Sequence, residues 1–456
     1  DPLQTTFDPV NWADSNFTTA DFLDRVHPGS QVTPPAGLPL DNSLPWSRLM
    51  PLAQTGANLN GAEEAFFVPS LVRLYIEDEI DITIPGIRTA VGSHIQKIHD
   101  LYPGVLAHAN LATTQIINPA TGEVQQDMLD YLAEAKPDAI IVNHYPYVGS
   151  GPDGGSPTLM YTLFERVRQL GLAGHDGSGL TKPIPTGVQS QAFTDGGATV
   201  DRAPSESEIR QQHFAAWAFG MTTSKPYVYD DLTNNITVTG VMFTGDGTGS
   251  PTVTFDHFAE ANRQSANLGD TLVRLISKSA HMVMGEHDPG GGAIANTTPM
   301  AVDTWDAGDD PFITSIDVTN LGSLNDTLDG DVIVGYFNPL DEQFTDAGTA
   351  DDDDLYFMIV NGLSDSTGLA SATQQSITLN FDFTSDPTIT SLQRLSRDTG
   401  LVEDVVLNST GVNTYDYTWT LDGGTGDLFK FNTGSTFIVG PSTPGDFNGD
   451  GTIDGA

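Results

Sequence analysis

Short apolar segments recur along the middle of the chain at steps of roughly thirty to forty-five residues, and most of them end in a cluster of polar side chains. Helical patterns lie between these segments. The segments are residues 71–79, 104–111, 138–145, 183–191 and 225–231. Strands that alternate with helices in this way predict a (β/α) barrel, in which the carboxyl ends of the strands share one face. The polar ends are therefore expected to meet in one cleft, although they are far apart in sequence.

The pattern changes after about residue 300, where short alternating segments are separated by Gly, Asp, Asn and Ser turns. This pattern predicts an antiparallel β-sandwich. The predicted fold class is thus α/β, a (β/α)8-type barrel followed by a β-sandwich. The predicted divisions are an irregular region over 1–70, a barrel over 71–300, a sandwich over 301–440 and a tail over 441–456.

The start of the barrel is short. If the segment 71–79 is the fourth barrel strand, three βα units must fit into the preceding 70 residues. Each such unit normally takes about thirty residues or more. We therefore expect the barrel to be incomplete or to have degenerate units at its N-terminal end.

Two helices are marked in the sequence. Ser205 and Glu208 have the spacing of a capping box, a good helical run follows over 209–219, and Gly220 can end it. A second helix is predicted over 254–279, with a break at Gly269.

Charge excludes one class of partner. The chain has 18 Lys and Arg residues against 60 Asp and Glu residues, a net charge of −42. Nucleic acid would be repelled, so no nucleic-acid partner is expected. No apolar run is long enough to cross a bilayer, so no membrane span is expected. Few lysines with abundant Asp, Gly, Thr, Ser and Asn are typical of an extracellular bacterial protein, and we expect secretion.

The chain has no cysteine, which excludes disulfides, thiolate metal sites and thiol nucleophiles. No HExxH spacing appears among its histidines, so a zinc hydrolase is not indicated. Catalysis is therefore expected to need no cofactor.

Carboxylates at the strand ends are candidates for cleavage of a glycosidic bond, which needs two carboxyl groups. Asp78 and Glu79 leave a strand end together, and because side chains alternate along a strand only one should point inward. We favour Glu79 as the general acid. The alternative is a structural acid cluster that pairs with Arg73 or Arg88.

The second carboxylate is predicted to be Asp230 or Asp231, at the end of the segment 225–231. Other strand-end side chains carry amides that bind hydroxyls or rings that stack on sugars. The predicted substrate-binding residues are Asp78, Asn110, Asn143, His144, Tyr145, Gln189 and Tyr229.

The tail over 444–456 has the spacing of a calcium loop. The predicted calcium ligands are Asp446, Asn448, Asp450, Thr452 and Asp454, with Gly451 at the turn. The sequence ends before the position-12 carboxylate, so it resembles the first half of a dockerin-type repeat and weak affinity is expected. The alternative is a disordered tail without bound calcium.

Taken in order, the strand ends and one helix form a series of motifs. The series is Asp78-Glu79-Ile80, Asn110-Leu111, Asn143-His144-Tyr145-Pro146, Gln189, Glu208-Ile209-Arg210 and Tyr227-Val228-Tyr229. Over roughly residues 71–435 this resembles the clan-A-like, β-galactosidase-like barrel glycoside hydrolases of bacteria, whose motifs run D-E-P, N-L, D-x-Y-P, Q, E-x-R and a Y-F-T-Y-like strand. The resemblance implies a barrel with a C-terminal β-sandwich and a carbohydrate substrate.

The chain departs from that pattern at two positions. Asn143 stands where the family-like motif has aspartate, and Gln189 stands where a retaining enzyme would carry its glutamate nucleophile. Two main hypotheses follow. The first is a secreted glycoside hydrolase with Glu79 as general acid, which inverts through another carboxylate or uses substrate assistance. The second is a non-catalytic extracellular protein that binds carbohydrate or self-associates through an open barrel edge. A calcium-dependent adhesin, based on the acidic loops and the tail, is a third hypothesis.

Overall fold

The computed structural model describes residues 19–21, 73–101, 105–147, 156–180, 182–195, 202–227, 238–244, 250–288, 290–340 and 356–439. The chain divides into two compact units. The first comprises residues 1–143, 169–187 and 442–456, and the second comprises residues 144–168 and 188–441. Both helices and several sheets are present, so the chain is of mixed α/β type.

In the described residues up to Leu272, strands are interspersed with helices. These elements are β1 (Thr19–Asp21), β2 (Arg73–Asp78), α1 (Pro85–Leu101), β3 (Leu106–Ala112), α2 (Thr113–Ile116), α3 (Gln126–Ala135), β4 (Ile140–Asn143), α4 (Pro157–Ala173), β5 (Thr186–Gln191), β6 (Phe193–Asp195), α5 (Glu206–Ala218), β7 (Thr223–Tyr227), β8 (Val238–Gly240) and α6 (Val253–Leu272). Strands thus occur at all five predicted segments. Closure of these strands into a barrel remains a prediction.

In the first unit, β1, β2, β3 and β4 are neighbours in one parallel sheet. β4 is buried along its whole length, as expected for a strand of a parallel sheet covered on both faces. Helix α1 begins at Pro85, a residue favoured in the first helical position. Its buried apolar side chains recur at helical spacing, and they are Ile87, Val91, Ile95 and Ile98. Gly92 lets α1 approach α3 closely, because a Cβ there would lie 3.0 Å from the Glu134 carbonyl oxygen.

In the second unit, α5 begins with the predicted capping box. The Ser205 hydroxyl accepts from the Glu208 backbone N–H (3.3 Å), and the Glu208 carboxylate accepts from the Ser205 backbone N–H (2.9 Å). Every residue from Ser207 to Ala218 is buried. The helix packs against α6 and the strands of the following sheet, so both its polar and apolar sides face protein.

The remaining strands form antiparallel sheets. They are β9 (Leu275–Val283), β10 (Glu286–His287), β11 (Ile294–Ala295), β12 (Asp303–Thr304), β13 (Ile313–Asn320), β14 (Val332–Pro339), β15 (Tyr356–Asn361), β16 (Gln375–Asp382), β17 (Ser391–Leu395), β18 (Val402–Val406), β19 (Asn408–Ser409), β20 (Thr414–Leu421) and β21 (Gly426–Phe431). Two larger sheets have the orders β12-β9-β14-β15-β21-β17-β18 and β13-β16-β20-β19. Only the β12–β9 pair within them is parallel.

These two sheets share one hydrophobic core, as the predicted β-sandwich requires. Val334 of β14 and Phe357 of β15 pack in the same cluster as Leu379 of β16 and Trp419 of β20. Burial alternates along β16, whereas β15 is buried at every position. β15 contacts α5 as well as the strands beside it, which explains why it lacks a solvent-facing side.

The predicted second helix is wrong at its C-terminal end. The helix α6 ends at Leu272, and Gly269 lies inside it and does not break it. Residues Leu275–Val283, which the sequence pattern assigned partly to that helix, form β9 and pair with β14. Local helical preference is weak enough for strand pairing to override it. In the described part of the chain, no helix is both long and apolar enough to cross a membrane.

Substitution of Gly335 in β14 can test the close contact between α5 and the sheet. A Cβ at Gly335 would overlap the carbonyl group of Ala218, whereas a Cβ at Gly269 in α6 would meet no atom within 4 Å. We expect Gly335→Ala to lower the free energy of unfolding by roughly 1–3 kcal/mol through overpacking. The control Gly269→Ala should leave it unchanged or raise it by about 0.5–1 kcal/mol. Denaturation followed by tryptophan fluorescence measures both, and equal stabilities of the two variants would contradict this packing.

Asp310 gives the second unit a specific dependence on pH. Its carboxyl group is buried, and Oδ1 accepts hydrogen bonds from the backbone N–H groups of Phe312 (2.7 Å) and Ile313 (2.8 Å). Burial raises the pKa of Asp310 to about 6, against the opposing effect of these hydrogen bonds. An unfolded aspartate has a pKa of about 3.9. The folded state therefore keeps a proton between these values that the unfolded state has lost.

The contribution of Asp310 to the free energy of unfolding is fully present below about pH 4. It decreases by roughly 3 kcal/mol as the pH rises to about 6. Asp310→Asn keeps an oxygen that accepts the two N–H groups and removes the titration. We expect its free energy of unfolding, relative to that of the unmodified protein, to rise from pH 4 to pH 7. The control Asp306→Asn alters an exposed carboxylate nearby and should give no such change. Parallel stability curves for the Asp310→Asn variant and the unmodified protein would refute the assignment.

Candidate active site

Parallel pairing brings the carboxyl ends of β2, β3 and β4 to one edge of the first unit. In the backbone register, Asp78 lies opposite Asn110, and Ala112 lies opposite Asn143. Glu79 directly follows β2. Backbone pairing thus brings four of the predicted site residues, Asp78, Glu79, Asn110 and Asn143, to this edge of the unit.

Glu79 has an unusual backbone conformation. Its φ is +47°, in the left-handed region that residues with a side chain seldom adopt. The pairing of β2 with β3 shifts register between Tyr75 and Asp78, and the backbone N–H of Glu79 then donates to the Asn110 carbonyl oxygen at 3.0 Å. The strand therefore ends in a fixed, strained turn. Such a conformation costs about 1–3 kcal/mol, persists only where the surrounding structure holds it, and occurs often at functional sites. Among the described residues, Lys136 and Asn413 also have a positive φ away from this edge.

The Glu79 carboxylate contacts an amide at the end of β4. The Asn143 side chain donates from Nδ2 to Glu79 Oε1 at 3.2 Å. Asn143 is itself buried, and its backbone carbonyl oxygen accepts from the Thr113 hydroxyl at 3.0 Å. The backbone of Asn143 is therefore held by Thr113, while its side-chain amide orients the half-buried carboxylate of Glu79. An amide cannot act as an acid or a base, so of these two side chains only Glu79 can exchange a proton.

Two residues of α2 support this pair, although no motif in the sequence marked them. Thr113 donates to Asn143, and the Gln115 side chain accepts from the Ala112 backbone N–H at 2.7 Å and donates to the Ile80 carbonyl oxygen. Their position directly after the end of β3 was the available signal. A short polar side chain just beyond a strand end is well placed to reach a neighbouring strand end.

The alternative to a catalytic role was an acid cluster, Asp78 and Glu79, that pairs with Arg73 or Arg88. Arg88 has carboxylate partners elsewhere. Its buried guanidinium group contacts three carboxylates of α3. They are Asp127 (3.3 Å), Asp130 (3.4 Å) and Glu134 (3.1 Å). The hydrogen bond to Glu134 is the largest of the effects that raise the Arg88 pKa. The side chain of Arg73, the other alternative, lies outside the described residues.

Three predicted binding residues belong to the second unit. His144 and Gln189 are buried there, and burial lowers the pKa of the His144 imidazole to about 4, so it is neutral at neutral pH. The Tyr145 ring packs edge-on against Phe193 (centroids 4.8 Å apart) and stacks on Tyr227 (5.9 Å). Tyr145, Phe193 and Tyr227 thus form an aromatic group near the ends of β5 and β7.

The motif Glu208-Ile209-Arg210 has structural partners. Besides capping α5, the Glu208 carboxylate accepts from the Arg202 guanidinium group at 2.6 Å. Arg210 donates to Glu206 at 2.6 Å. The resemblance to β-galactosidase-like barrels rests partly on this motif. In this structure, however, Glu208 and Arg210 form ion pairs that stabilise α5.

A buried polar network that the sequence did not reveal surrounds the same helix. Gln191 accepts from the Tyr147 backbone N–H (3.0 Å) and donates to the Arg202 carbonyl oxygen (2.8 Å). The Gln191 backbone N–H donates to the Gln212 side chain at 2.7 Å, and the Tyr147 hydroxyl donates to Gln211 at 3.0 Å. Buried polar groups need such partners, so these glutamines specify how α5 packs.

Several predictions cannot be placed. The following residues lie outside the described part of the chain: Tyr229, Asp230, Asp231, Asp446, Asn448, Asp450, Thr452 and Asp454. The Asp78 side chain is likewise not described. The second carboxylate and the calcium ligands of the tail therefore stay predictions.

Two other features of the described residues bear on ligand binding. No group of three or more His, Asp or Glu side chains in this part of the chain is arranged to hold a metal ion. An open groove of about 740 Å³ lies along α1 and α3 in the first unit. It is lined by Thr89, Gly92, Ser93, Gln96, Lys97, Asp100 and Glu134, none of which is a predicted site residue.

No protein-family model matches the sequence, and no curated protein matches it. Similar solved structures include one described as a glycoside hydrolase, 8% identical over 95% of this chain and 91% of its own, with a TM-score of 0.44. A family 5 glycoside hydrolase from Bacteroides vulgatus is 8% identical over 94% of this chain and 86% of its own, with a TM-score of 0.42. A family 44 endoglucanase from Clostridium thermocellum is 11% identical over 81% and 70%, with a TM-score of 0.31. Similarities this distant assign neither an activity nor a catalytic residue to this chain.

The contact between Asn143 and Glu79 can be tested by Asn143→Asp. A second carboxylate about 3 Å from the first disfavours ionisation of both, so the pair should hold a proton to higher pH in the folded state than in the unfolded state. Stability should therefore be close to that of the unmodified protein near pH 3 and fall as pH rises, by roughly 1–3 kcal/mol at pH 7. Urea denaturation across this pH range measures it.

Asn118→Asp is the matched control, because Asn118 is exposed in the same unit and its side-chain oxygen already accepts from the Ala120 backbone N–H. It should show no such dependence on pH. The same pH dependence in both variants would mean that Asn143 and Glu79 are not in contact.

Proposed function

We propose that the chain is a secreted glycoside hydrolase that cleaves an oligosaccharide or polysaccharide, with Glu79 as general acid. The observation that carries the proposal is the Glu79 carboxylate at a strand end, in a left-handed backbone conformation and hydrogen-bonded to Asn143. The ordered series of strand-end motifs that resembles β-galactosidase-like barrels supports it.

The geometry suits a group that must be fixed before the substrate arrives. Catalytic side chains work when packing and hydrogen bonds hold their orientation. Glu79 is held through its backbone by Asn110 and through its carboxylate by Asn143.

Hydrolysis needs a second carboxyl group, which we propose to be Asp230 or Asp231. Because Gln189 stands where the resemblance places a glutamate nucleophile, a covalent intermediate on that residue is excluded. The proposed reaction therefore inverts, with the second carboxylate activating water, or uses a group of the substrate as nucleophile. No cofactor takes part in this proposal.

Binding of the sugar is proposed to use the strand-end side chains that the sequence pattern marked as substrate-binding. Asn110, Asn143 and Gln189 carry amides that can exchange hydrogen bonds with hydroxyls. His144, with its pKa lowered to about 4 by burial, would act as a neutral donor or acceptor. Tyr145 offers a ring for stacking on a sugar face.

The second candidate is a non-catalytic extracellular protein that binds carbohydrate or self-associates. The observation that favours it is the amide of Asn143, which contacts Glu79 where the family-like motif has a second carboxylate. With amides at both Asn143 and Gln189, hydroxyl binding would remain after hydrolysis was lost.

Reducing-end release from a panel of polysaccharides separates the two candidates. Hydrolysis by the unmodified protein and a loss of roughly 10²–10⁴-fold in Glu79→Gln are expected if Glu79 is the general acid. Glu123→Gln is the control, since Glu123 is an exposed glutamate of the same unit, and it should retain full activity.

Binding without cleavage of any glycan, unchanged in Glu79→Gln, would favour the second candidate. Cleavage that survives in Glu79→Gln at the unmodified rate would show that the enzyme uses another acid.

A further inference from the structure

The Gln115 side chain joins two segments that flank the candidate site in the first unit. It lies on α2, directly after β3, and is half-buried. Its Oε1 accepts from the Ala112 backbone N–H at 2.7 Å, and its Nε2 donates to the carbonyl oxygen of Ile80. A carboxamide is the group that can accept on one side and donate on the other, which matches these two partners.

The contact fixes the chain on the far side of Glu79. Before it, the Glu79 backbone N–H donates to the Asn110 carbonyl oxygen at 3.0 Å. After it, the Ile80 carbonyl oxygen accepts from Gln115 and also from the Ile82 backbone N–H at 2.9 Å. Glu79, at φ +47°, therefore lies between two anchored peptide groups. Without Gln115, the Ile80 carbonyl oxygen would keep only the local hydrogen bond from Ile82, and no contact from another element would hold this peptide group.

The same short helix also holds the partner of the carboxylate. Thr113, two residues before Gln115, donates from its hydroxyl to the Asn143 carbonyl oxygen at 3.0 Å. One turn of helix thus contacts both the residue after Glu79 and the residue whose amide meets the Glu79 carboxylate. This helix directly follows β3, which lies between β2 and β4.

We infer that Gln115 is a positioning residue for Glu79: its carboxamide holds the Ile80 carbonyl oxygen and thereby keeps the Glu79 carboxylate directed at Asn143. The inference rests on the proposed function only in that Glu79 performs the chemistry. The positioning itself is a property of the folded protein and can be measured without a substrate.

The first test is Gln115→Met, which keeps the length of the side chain and removes both hydrogen bonds. Carboxyl-labelled glutamate followed by ¹³C NMR reports the titration of Glu79, assigned by the signal lost in Glu79→Gln. Loss of the Asn143 amide from the carboxylate should move the Glu79 midpoint to higher pH, because that hydrogen bond favours the charged form. Gln126→Met is the control, since Gln126 is an exposed glutamine that donates to Asp130 at 2.9 Å. It should leave the Glu79 midpoint unchanged.

The second test is Gln115→Glu, whose outcome depends on pH in a way that a structural role would not produce. When protonated, the introduced carboxyl group can still donate to Ile80 and accept from Ala112. When ionised, above a pH of about 4.3, it repels the Ile80 carbonyl oxygen. With a glycan that the unmodified protein cleaves, the ratio of kcat in the variant to kcat in the unmodified protein should fall from near one at low pH to roughly one-hundredth at pH 7. KM should change little.

The outcomes separate the two proposals. A Glu79 midpoint that is the same in Gln115→Met and Gln126→Met overturns the positioning role, whatever the activity. If no glycan is cleaved, the proposed function fails while the NMR midpoint still decides the role of Gln115. If Gln115→Met does not fold, the Glu79 midpoint in the uncharged variant Gln115→Ala is compared with that in Gln126→Ala, and equal midpoints overturn the positioning role.

Discussion

Parallel pairing of β2, β3 and β4 is the constraint on which the candidate site depends. The register places Asp78 opposite Asn110 and Ala112 opposite Asn143. Because successive side chains of a strand point to opposite faces, a slip of one residue would turn Asn143 away from the glutamate. The hydrogen bond between the amide and the carboxylate is therefore a consequence of backbone pairing, and the burial of β4 on both faces holds that pairing in place.

Around that register, the structure holds one residue in a conformation that it would not adopt alone. Glu79 is strained at its backbone, and three contacts from different elements hold it: Asn110 before it, Gln115 after it and Asn143 at its carboxylate. Each contact is an ordinary hydrogen bond. Together they fix both the direction of the side chain and the path of the chain, which is how a protein prepares a functional group before its ligand binds.

The second unit shows why a motif has to be judged by its partners. Glu208 and Arg210 match an E-x-R pattern, yet Glu208 caps α5 and pairs with Arg202, and Arg210 pairs with Glu206. The buried glutamines around α5 act in the same way: the Gln212 side-chain oxygen accepts from the Gln191 backbone N–H, and the Gln211 side-chain oxygen accepts from the Tyr147 hydroxyl. The chemistry of a side chain in this helix is set by which groups satisfy it.

Much of the local structure was determined by the sequence alone. Period and composition marked the five strand segments, the capping box at Ser205 and the antiparallel strands after residue 300, because these signals act over a few residues. They also placed Glu79, Asn110 and Asn143 at strand ends. The helix predicted to continue to Ser279 shows the limit of local signals, since pairing with β14 makes a strand of Leu275–Val283.

Only the tertiary structure decided that Glu79 is left-handed, that its carboxylate meets Asn143, that Arg88 pairs with α3 and that Gln115 reaches Ile80. These contacts join residues roughly 35 to 65 positions apart, and they exist only once strand register and helix packing are set. A sequence carries the chemical groups and their local geometry. Long-range packing decides which of these groups come into contact. Its energy is distributed over many residues, so no single motif predicts it.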